Sequence, residues 1–169
     1  MRPVAAQNAQ SKNPDKILSD CREVNSAVDR IEGDIRELDN LTKSMRGLTT
    51  PGQLTTHTKS VHDINDRVEH TLKVMAERMK RVKEMPESGS PRNANQVGST
   101  DRRLRATMHS FQVAGAKFRD EASQIKKDEY RIAFPDATED QLQEAANDLS
   151  DQSPYQQAVS VMCPRFGPC

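Results

Sequence analysis

The sequence predicts an all-α fold: an antiparallel, up-down-up bundle of three long helices, a short fourth helix and a disordered tail. Its 169 residues include only 4% aromatic residues, no Trp and 7 Gly. The aromatic pairs and frequent turns typical of β-sandwiches and barrels are therefore missing. Apolar residues recur in alternating steps of three and four along three stretches, and this spacing returns side chains to one face of a helix.

The first helix is predicted over residues 14–46. Asn13 as N-cap and Pro14 at the first helical position mark its start, and Gly47 follows its end. Cys21 lies within the apolar stripe and is interpreted as a small buried hydrophobic residue. The stripe consists of Ile17, Cys21, Val24, Val28, Ile31, Ile35, Leu38, Leu41 and Met45. Residues 1–12 have no such pattern and are predicted to be disordered.

The second helix is predicted over residues 53–85, because Pro86 cannot continue a helix. Residues 86–100 are rich in Gly, Ser, Pro and Asn and predict a loop. The third helix is predicted over residues 101–133, with Thr100 or Asp101 as N-cap. The stripe of the second helix is Leu54, Val61, Ile64, Val68, Leu72, Met75, Met79, Val82 and Met85. That of the third is Leu104, Met108, Phe111, Gly115, Phe118, Ala122, Ile125, Glu129 and Ile132.

Helices with one apolar stripe are stable only when the stripe is buried, so we expect the three to pack together over residues 13–134. Residues 135–152 predict an acidic linker helix that begins with a capping box of Thr138 and Gln141. Between residues 136 and 151 there are six acidic residues and no basic one, whereas residues 101–131 contain eight basic and five acidic residues. These segments should attract each other. Residues 153–169 predict an irregular tail.

The composition and motifs argue against several functions. Twenty-five Lys and Arg balance 25 Asp and Glu, so no chain-wide field favours nucleic acid. We find no metal-ligand spacing among the four His, no cofactor or catalytic motif and no sign of a small-molecule substrate. The sequence therefore predicts no enzyme and no cofactor. His62 and His70 are interpreted as solvated. A basic run on the second helix is also interpreted as a solvated face, with contact to phosphate or acidic lipid as the alternative: Lys73, Arg78, Lys80, Arg81 and Lys83.

The sequence shows no signal peptide and no run of about 18 to 20 apolar residues, so the chain as given is predicted to be soluble and cytosolic. Three cysteines are too few and too unevenly placed for a disulfide framework. Cys163 and Cys169 lie in the predicted tail, where S-acylation is one possible interpretation.

Three segments carry a resemblance to a known family. Residues 24–35 look like the first helix of the N-terminal regulatory region of syntaxins, and residues 99–105 look like the opening of its third helix. Residues 130–144 are similar to the segment where plasma-membrane syntaxins leave the third helix and enter the linker. The resemblance covers residues 14–158 and implies a three-helix Habc domain.

The resemblance implies a regulatory role in vesicle docking and membrane fusion, on the cytoplasmic face of a membrane, with the plasma membrane expected for a full-length parent. The expected partners are an SM (Sec/Munc) protein and the SNARE helix of the parent syntaxin, with other SNARE proteins contacted indirectly. A Leu-Glu pair that holds the closed state in relatives falls on Leu142 and Gln143, so the glutamate is replaced.

The resemblance also has limits along the chain. The SNARE heptads, their central glutamine and a membrane anchor do not follow residues 153–160. Residues 161–169 depart from the family pattern, as a truncation, an alternative transcript or a misplaced gene end would. The usual N-terminal peptide for SM proteins is not evident in residues 1–10. An alternative function is a structural scaffold module resembling a spectrin repeat, although the sequence shows no internal repeat.

Overall fold

The structure is a computed structural model that describes residues 14–48 and 51–147. Several predictions lie outside these residues: disorder over 1–12, the N-cap Asn13, the irregular tail 153–169, and both of its cysteines, Cys163 and Cys169.

Over the described ranges the chain is an all-α helical bundle with a short fourth helix and no strand, which confirms the predicted fold class. Its helices are α1 (Pro14–Ser44), α2 (Pro51–Glu84), α3 (Ala94–Ala133) and α4 (Glu139–Asn147), and a 3-10 turn over Met45–Gly47 follows α1. The ends of α1 and α2 differ from the predicted ones by two residues at most, within the usual fraying of helix ends. None of the helices in the described ranges is both long and apolar enough to cross a bilayer.

The start of α3 corrects the predicted loop over residues 86–100, because the helix begins seven residues earlier than expected. Thr100 is 1% exposed, and its side-chain oxygen accepts a hydrogen bond from Asn25 Nδ2 at 3.1 Å. Asp101 pairs with Lys83 at 2.9 Å instead of capping a helix. Val97 is also buried and continues the apolar stripe of α3 toward its N-terminus, so this segment is helical because it packs.

The chain divides into two compact units. Among the described residues, the first unit comprises 14–35 and 63–111, and the second comprises 36–48, 51–62 and 112–147. Each of the three long helices contributes residues to both units.

In the first unit, ion pairs give the direction of the helices. Arg67 of α2 pairs with Asp34 of α1 at 2.7 Å, while Arg78, further along α2, pairs with Asp20 at 3.4 Å. Residue numbers therefore rise on α2 as they fall on α1, and the two segments are antiparallel. The buried apolar side chains are Ile17, Cys21, Val24, Ala27, Val28, Ile31, Ile64, Val68, Leu72, Met79, Val82, Val97, Leu104 and Phe111.

The second unit has a smaller apolar core among its described residues. Its buried apolar side chains are Leu38, Met45, Val61, Ala114 and Leu142. Two polar side chains, Thr42 and His57, are buried with them, and α4 contributes to this core through Leu142.

Candidate protein-interaction site

Helix α4 packs on the second unit by a single large side chain. Leu142 is 2% exposed, although most of its neighbours in this nine-residue helix are exposed or half-buried. A helix this short is not stable in water by itself, so its burial against the unit is what maintains it. Leu142 is therefore the main anchor of α4.

The predicted capping box forms at the start of α4. The backbone N–H of Thr138 donates to Gln141 Oε1 at 2.9 Å, and the N–H of Gln141 donates to Thr138 Oγ1 at 3.4 Å. Together these bonds satisfy two of the backbone donors that a helix start leaves without a partner. The turn after Pro135 is thus fixed where α4 begins.

An ion pair links α4 to α3. Lys127 Nζ lies 3.6 Å from Glu139 Oε1, which agrees with the predicted attraction between the basic third helix and the acidic linker. Glu139 is largely exposed, so this pair adds little stability compared with the burial of Leu142. Gln143, the second predicted linker contact, is exposed, and its Nε2 donates to Asn147 Oδ1 at 3.5 Å within α4.

The part of α3 that belongs to the second unit is only partly covered. Four of its predicted stripe residues are half-buried: Phe118, Ala122, Ile125 and Glu129. Ile132 was predicted to lie on the buried face, but it is 67% exposed in the last turn of α3. The rings of Tyr130 and Phe134 lie with centroids 4.7 Å apart. This surface can accept further apolar contacts.

Glu129 is the acidic member of that surface. Burial raises the pKa of its carboxyl group above the ordinary value, and the charge of Lys126 opposes this effect. Burial disfavours the charged form of a carboxyl group, and for Glu129 this effect outweighs that of Lys126.

A second feature of this unit is an open cleft beside His57. The cleft has a volume of about 480 Å³. His57 is 8% exposed, and its Nε2 lies 2.8 Å from the carbonyl oxygen of Leu41, to which it donates in the tautomer that this contact requires. The same carbonyl accepts a hydrogen bond from Ser44 Oγ at 2.9 Å, so both groups satisfy the end of α1. The cleft is lined by Leu41, Leu48, Gln53, Thr56, His57 and Ser60.

Sequence reasoning missed the buried role of His57. It precedes Val61 by four residues and Ile64 by seven, so it continues the apolar stripe of α2, and this spacing was the available signal. His62 and His70 are exposed, as predicted.

In the first unit, the basic run of α2 is only partly solvated, which corrects its interpretation. Arg78 pairs with Asp20 and Glu23 of α1, and Lys83 pairs with Asp101 of α3. Lys73, Lys80 and Arg81 are exposed, as expected of a solvated face. Two of the five cations therefore hold helices together.

Cys21 is fully buried, as predicted, among the core residues of the first unit. Burial raises the pKa of its thiol, while a hydrogen bond with Thr100 acts in the opposite direction. A thiol held in its neutral form is a poor nucleophile. This agrees with its interpretation as a packing residue.

Comparison with known proteins gives one family. A family model described as syntaxin-like protein matches residues 20–159. A comparison with curated proteins finds no match.

Proposed function

The chain belongs to the syntaxin-like protein family, and we propose that it is a regulatory protein-interaction domain of a SNARE involved in vesicle docking and membrane fusion. Its role is non-enzymatic: it binds an SM protein and masks the SNARE helix of the parent protein. The parent acts at the cytoplasmic face of a membrane, by resemblance the plasma membrane, in exocytosis. Other SNARE proteins are affected indirectly, because a masked SNARE helix cannot pair with them.

The burial of Leu142 carries this proposal. It supports a role for the short segment after α3 as a linker that is held on the second unit by one apolar anchor. A contact of this size can be released by a competing partner, because burying one Leu contributes only about 1.5 to 3 kcal/mol. A linker that alternates between bound and released states can control access to the neighbouring helix surface.

The half-buried stripe of α3 supports the presence of a further helix. Phe118, Ala122 and Ile125 lie at helical spacing and are not fully covered by the described residues. An amphipathic helix recognises such a surface through residues spaced by three and four. The SNARE helix of the parent is the occupant that this proposal assigns.

Binding of a syntaxin SNARE-motif peptide tests the masking role. We expect the Leu142→Ala variant to bind the peptide at least about tenfold more weakly, because the proposal assigns docked α4 to the masked state and truncating a buried Leu destabilises that docking by about 2 to 5 kcal/mol. Gln143→Ala is the matched control, since Gln143 is exposed and bonded only within α4, and we expect its affinity to be unchanged. Equal losses in both variants would contradict the assigned anchor.

A pull-down with an SM protein tests the second partner. We expect retention by the chain carrying residues 1–150. If neither the SM protein nor the SNARE peptide binds, the proposal is wrong. Solution scattering would then separate the scaffold alternative, which requires rods that lengthen with concentration, from an isolated bundle.

A further inference from the structure

One position in the half-buried stripe of α3 carries a carboxylate. Phe118, Ala122, Ile125 and Glu129 follow one another in steps of four, three and four, so they lie within an arc of about 60° on one side of the helix. All four are half-buried, and all belong to the second unit. Glu129 therefore stands where the helical spacing would place a further apolar side chain.

This carboxylate is unfavourable for the stability of the domain. Burial raises the pKa of Glu129 more than the charge of Lys126 lowers it, so the surroundings do not fully compensate the ionised group. An amide or apolar side chain at this position would avoid the cost of burying a charge. A side chain that opposes folding at a partly covered surface is better explained by a role in binding than by a role in packing.

A helix that covers the stripe also covers the carboxylate. Docking removes water from Phe118, Ala122 and Ile125, and from Glu129 too, because all four share one side of α3. Burying a carboxylate opposes association unless a cation pairs with it. The occupant therefore needs apolar side chains spaced by three and four and, one turn beyond them, a Lys or Arg.

The chain that follows α3 does not supply this cation. Residues 136–164 contain six acidic residues and no basic one, so this segment offers no counter-charge to Glu129. We propose that Glu129 is the specificity-determining residue of this surface and selects an amphipathic helix that carries a Lys or Arg opposite it. The inference rests on the proposed function, in which the occupant is the SNARE helix of the parent protein.

The effect of Glu129→Gln on binding of a syntaxin SNARE-motif peptide tests this proposal, because the two possible results differ in direction. If a cation of the peptide pairs with Glu129, the full chain carrying Glu129→Gln binds the peptide at least about tenfold more weakly. If no cation faces Glu129, the variant binds equally well or more tightly, because a desolvation cost is gone, and the proposal is overturned. Titration calorimetry at pH 7 measures the affinity.

Asp120→Asn is the matched control. It also removes a carboxylate from α3, but Asp120 is exposed and lies about two and a half turns before Glu129, on the opposite side of the helix. We expect its peptide affinity to match that of the parent. Without peptide, Glu129→Gln should unfold at a higher temperature than the parent chain, although it binds the peptide more weakly. A loss of both stability and affinity would indicate a purely structural role and overturn the proposal.

Charge reversal identifies the partner residue. We expect Glu129→Lys to weaken binding of the peptide by at least about a hundredfold, since like charges would then face each other. Affinity should recover with one member of a peptide series in which each Lys or Arg is changed to Glu in turn. No recovery with any member overturns the proposed pair.

Two further outcomes are distinguishable. Dimers of the chain that form without peptide and are abolished by Glu129→Lys, as seen by light scattering, would assign the surface to a second copy and overturn the proposal. If the parent chain does not bind the SNARE peptide at all, the masking role and this inference fail together. If it binds and Glu129→Gln has no effect, only this inference fails.

Discussion

His57 illustrates what single residues decide in this chain. A buried imidazole donates to the carbonyl oxygen of Leu41 near the end of α1, which also accepts a hydrogen bond from Ser44 Oγ. The spacing of α2 points to a core position, but the spacing cannot reveal the acceptor, because Leu41 lies on another helix, 16 residues away in sequence. Periodicity predicts which face is buried, whereas hydrogen bonds between helices depend on how the helices meet.

Replacing His57 tests this role. We expect His57→Ala to lower the free energy of unfolding by about 2 to 4 kcal/mol, because it removes both a buried ring and a hydrogen bond. His70→Ala, at an exposed position of the same helix, should stay within about 0.5 kcal/mol of the parent. Urea denaturation measures both, and a similar loss in the two variants would refute the buried role.

The carboxyl group of Glu129 predicts a dependence of stability on pH. Burial raises its pKa in the folded state, whereas unfolded glutamic acid titrates near pH 4.3. The folded state therefore binds the proton of the Glu129 carboxyl more tightly than the unfolded state does. The stability that protonated Glu129 contributes is present below about pH 4 and is lost as the pH rises through the folded-state pKa.

We expect Glu129→Gln to be more stable than the parent at pH 7 and equally stable at pH 3, as measured by thermal unfolding. Asp128→Asn is the control: its carboxylate lies 4.0 Å from Arg46 and 3.9 Å from Arg131, so its replacement should bring no gain. A difference between Glu129→Gln and the parent that does not vary with pH would argue against the raised pKa.

At the scale of elements, sequence patterns located the four α-helices of the described ranges but misplaced one start. Thr138 and Gln141 were predicted as a capping box and form one, because every group involved lies within four residues. Thr100 and Asp101 have the right side chains for an N-cap, but both have partners on other helices, Asn25 and Lys83. A sequence pattern therefore predicts a helix cap correctly when the hydrogen-bond partners are close to each other in the sequence.

The capping box predicts how α4 responds to mutation. Thr138→Ala should weaken α4 by about 1 kcal/mol, since it removes the side-chain acceptor at the helix start. Amide exchange over residues 140–142 should become about fivefold faster, whereas Thr138→Ser, which keeps the hydroxyl, should stay close to the parent. If the Ser variant exchanges as fast as the Ala variant, the hydroxyl is not the stabilising group.

For the molecule as a whole, the two units differ in the size of their apolar cores. The first buries fourteen apolar side chains, and the second buries five among the described residues. Since apolar burial is the main stabilising contribution, the second unit should open at a lower free energy than the first. It is also the unit that carries α4, and regions that rearrange on binding come from the less stable parts of proteins.

Native-state hydrogen exchange measures this difference. We expect the slowest amides to lie within residues 14–35 and 63–111, and amides of residues 36–62 and 112–147 to exchange through a partial opening. Leu142→Ala should speed exchange in the second group and leave the first unchanged. Equal protection throughout would show that the chain opens as one cooperative body.

The hydrogen bond between Asn25 and Thr100 has a further consequence for folding accuracy. Apolar side chains repeated every three or four residues can be matched in more than one way when a helix slides by a turn, about 5.4 Å, along its neighbour. Such a slip would remove the bond from Asn25 to the buried Thr100 hydroxyl, while Gln96 of the same helix stays 3.4 Å from that hydroxyl, at a cost of about 0.5 to 1.5 kcal/mol. This one amide–hydroxyl contact therefore favours the native register of the two helices over shifted registers in which the apolar side chains alone would pack almost as well.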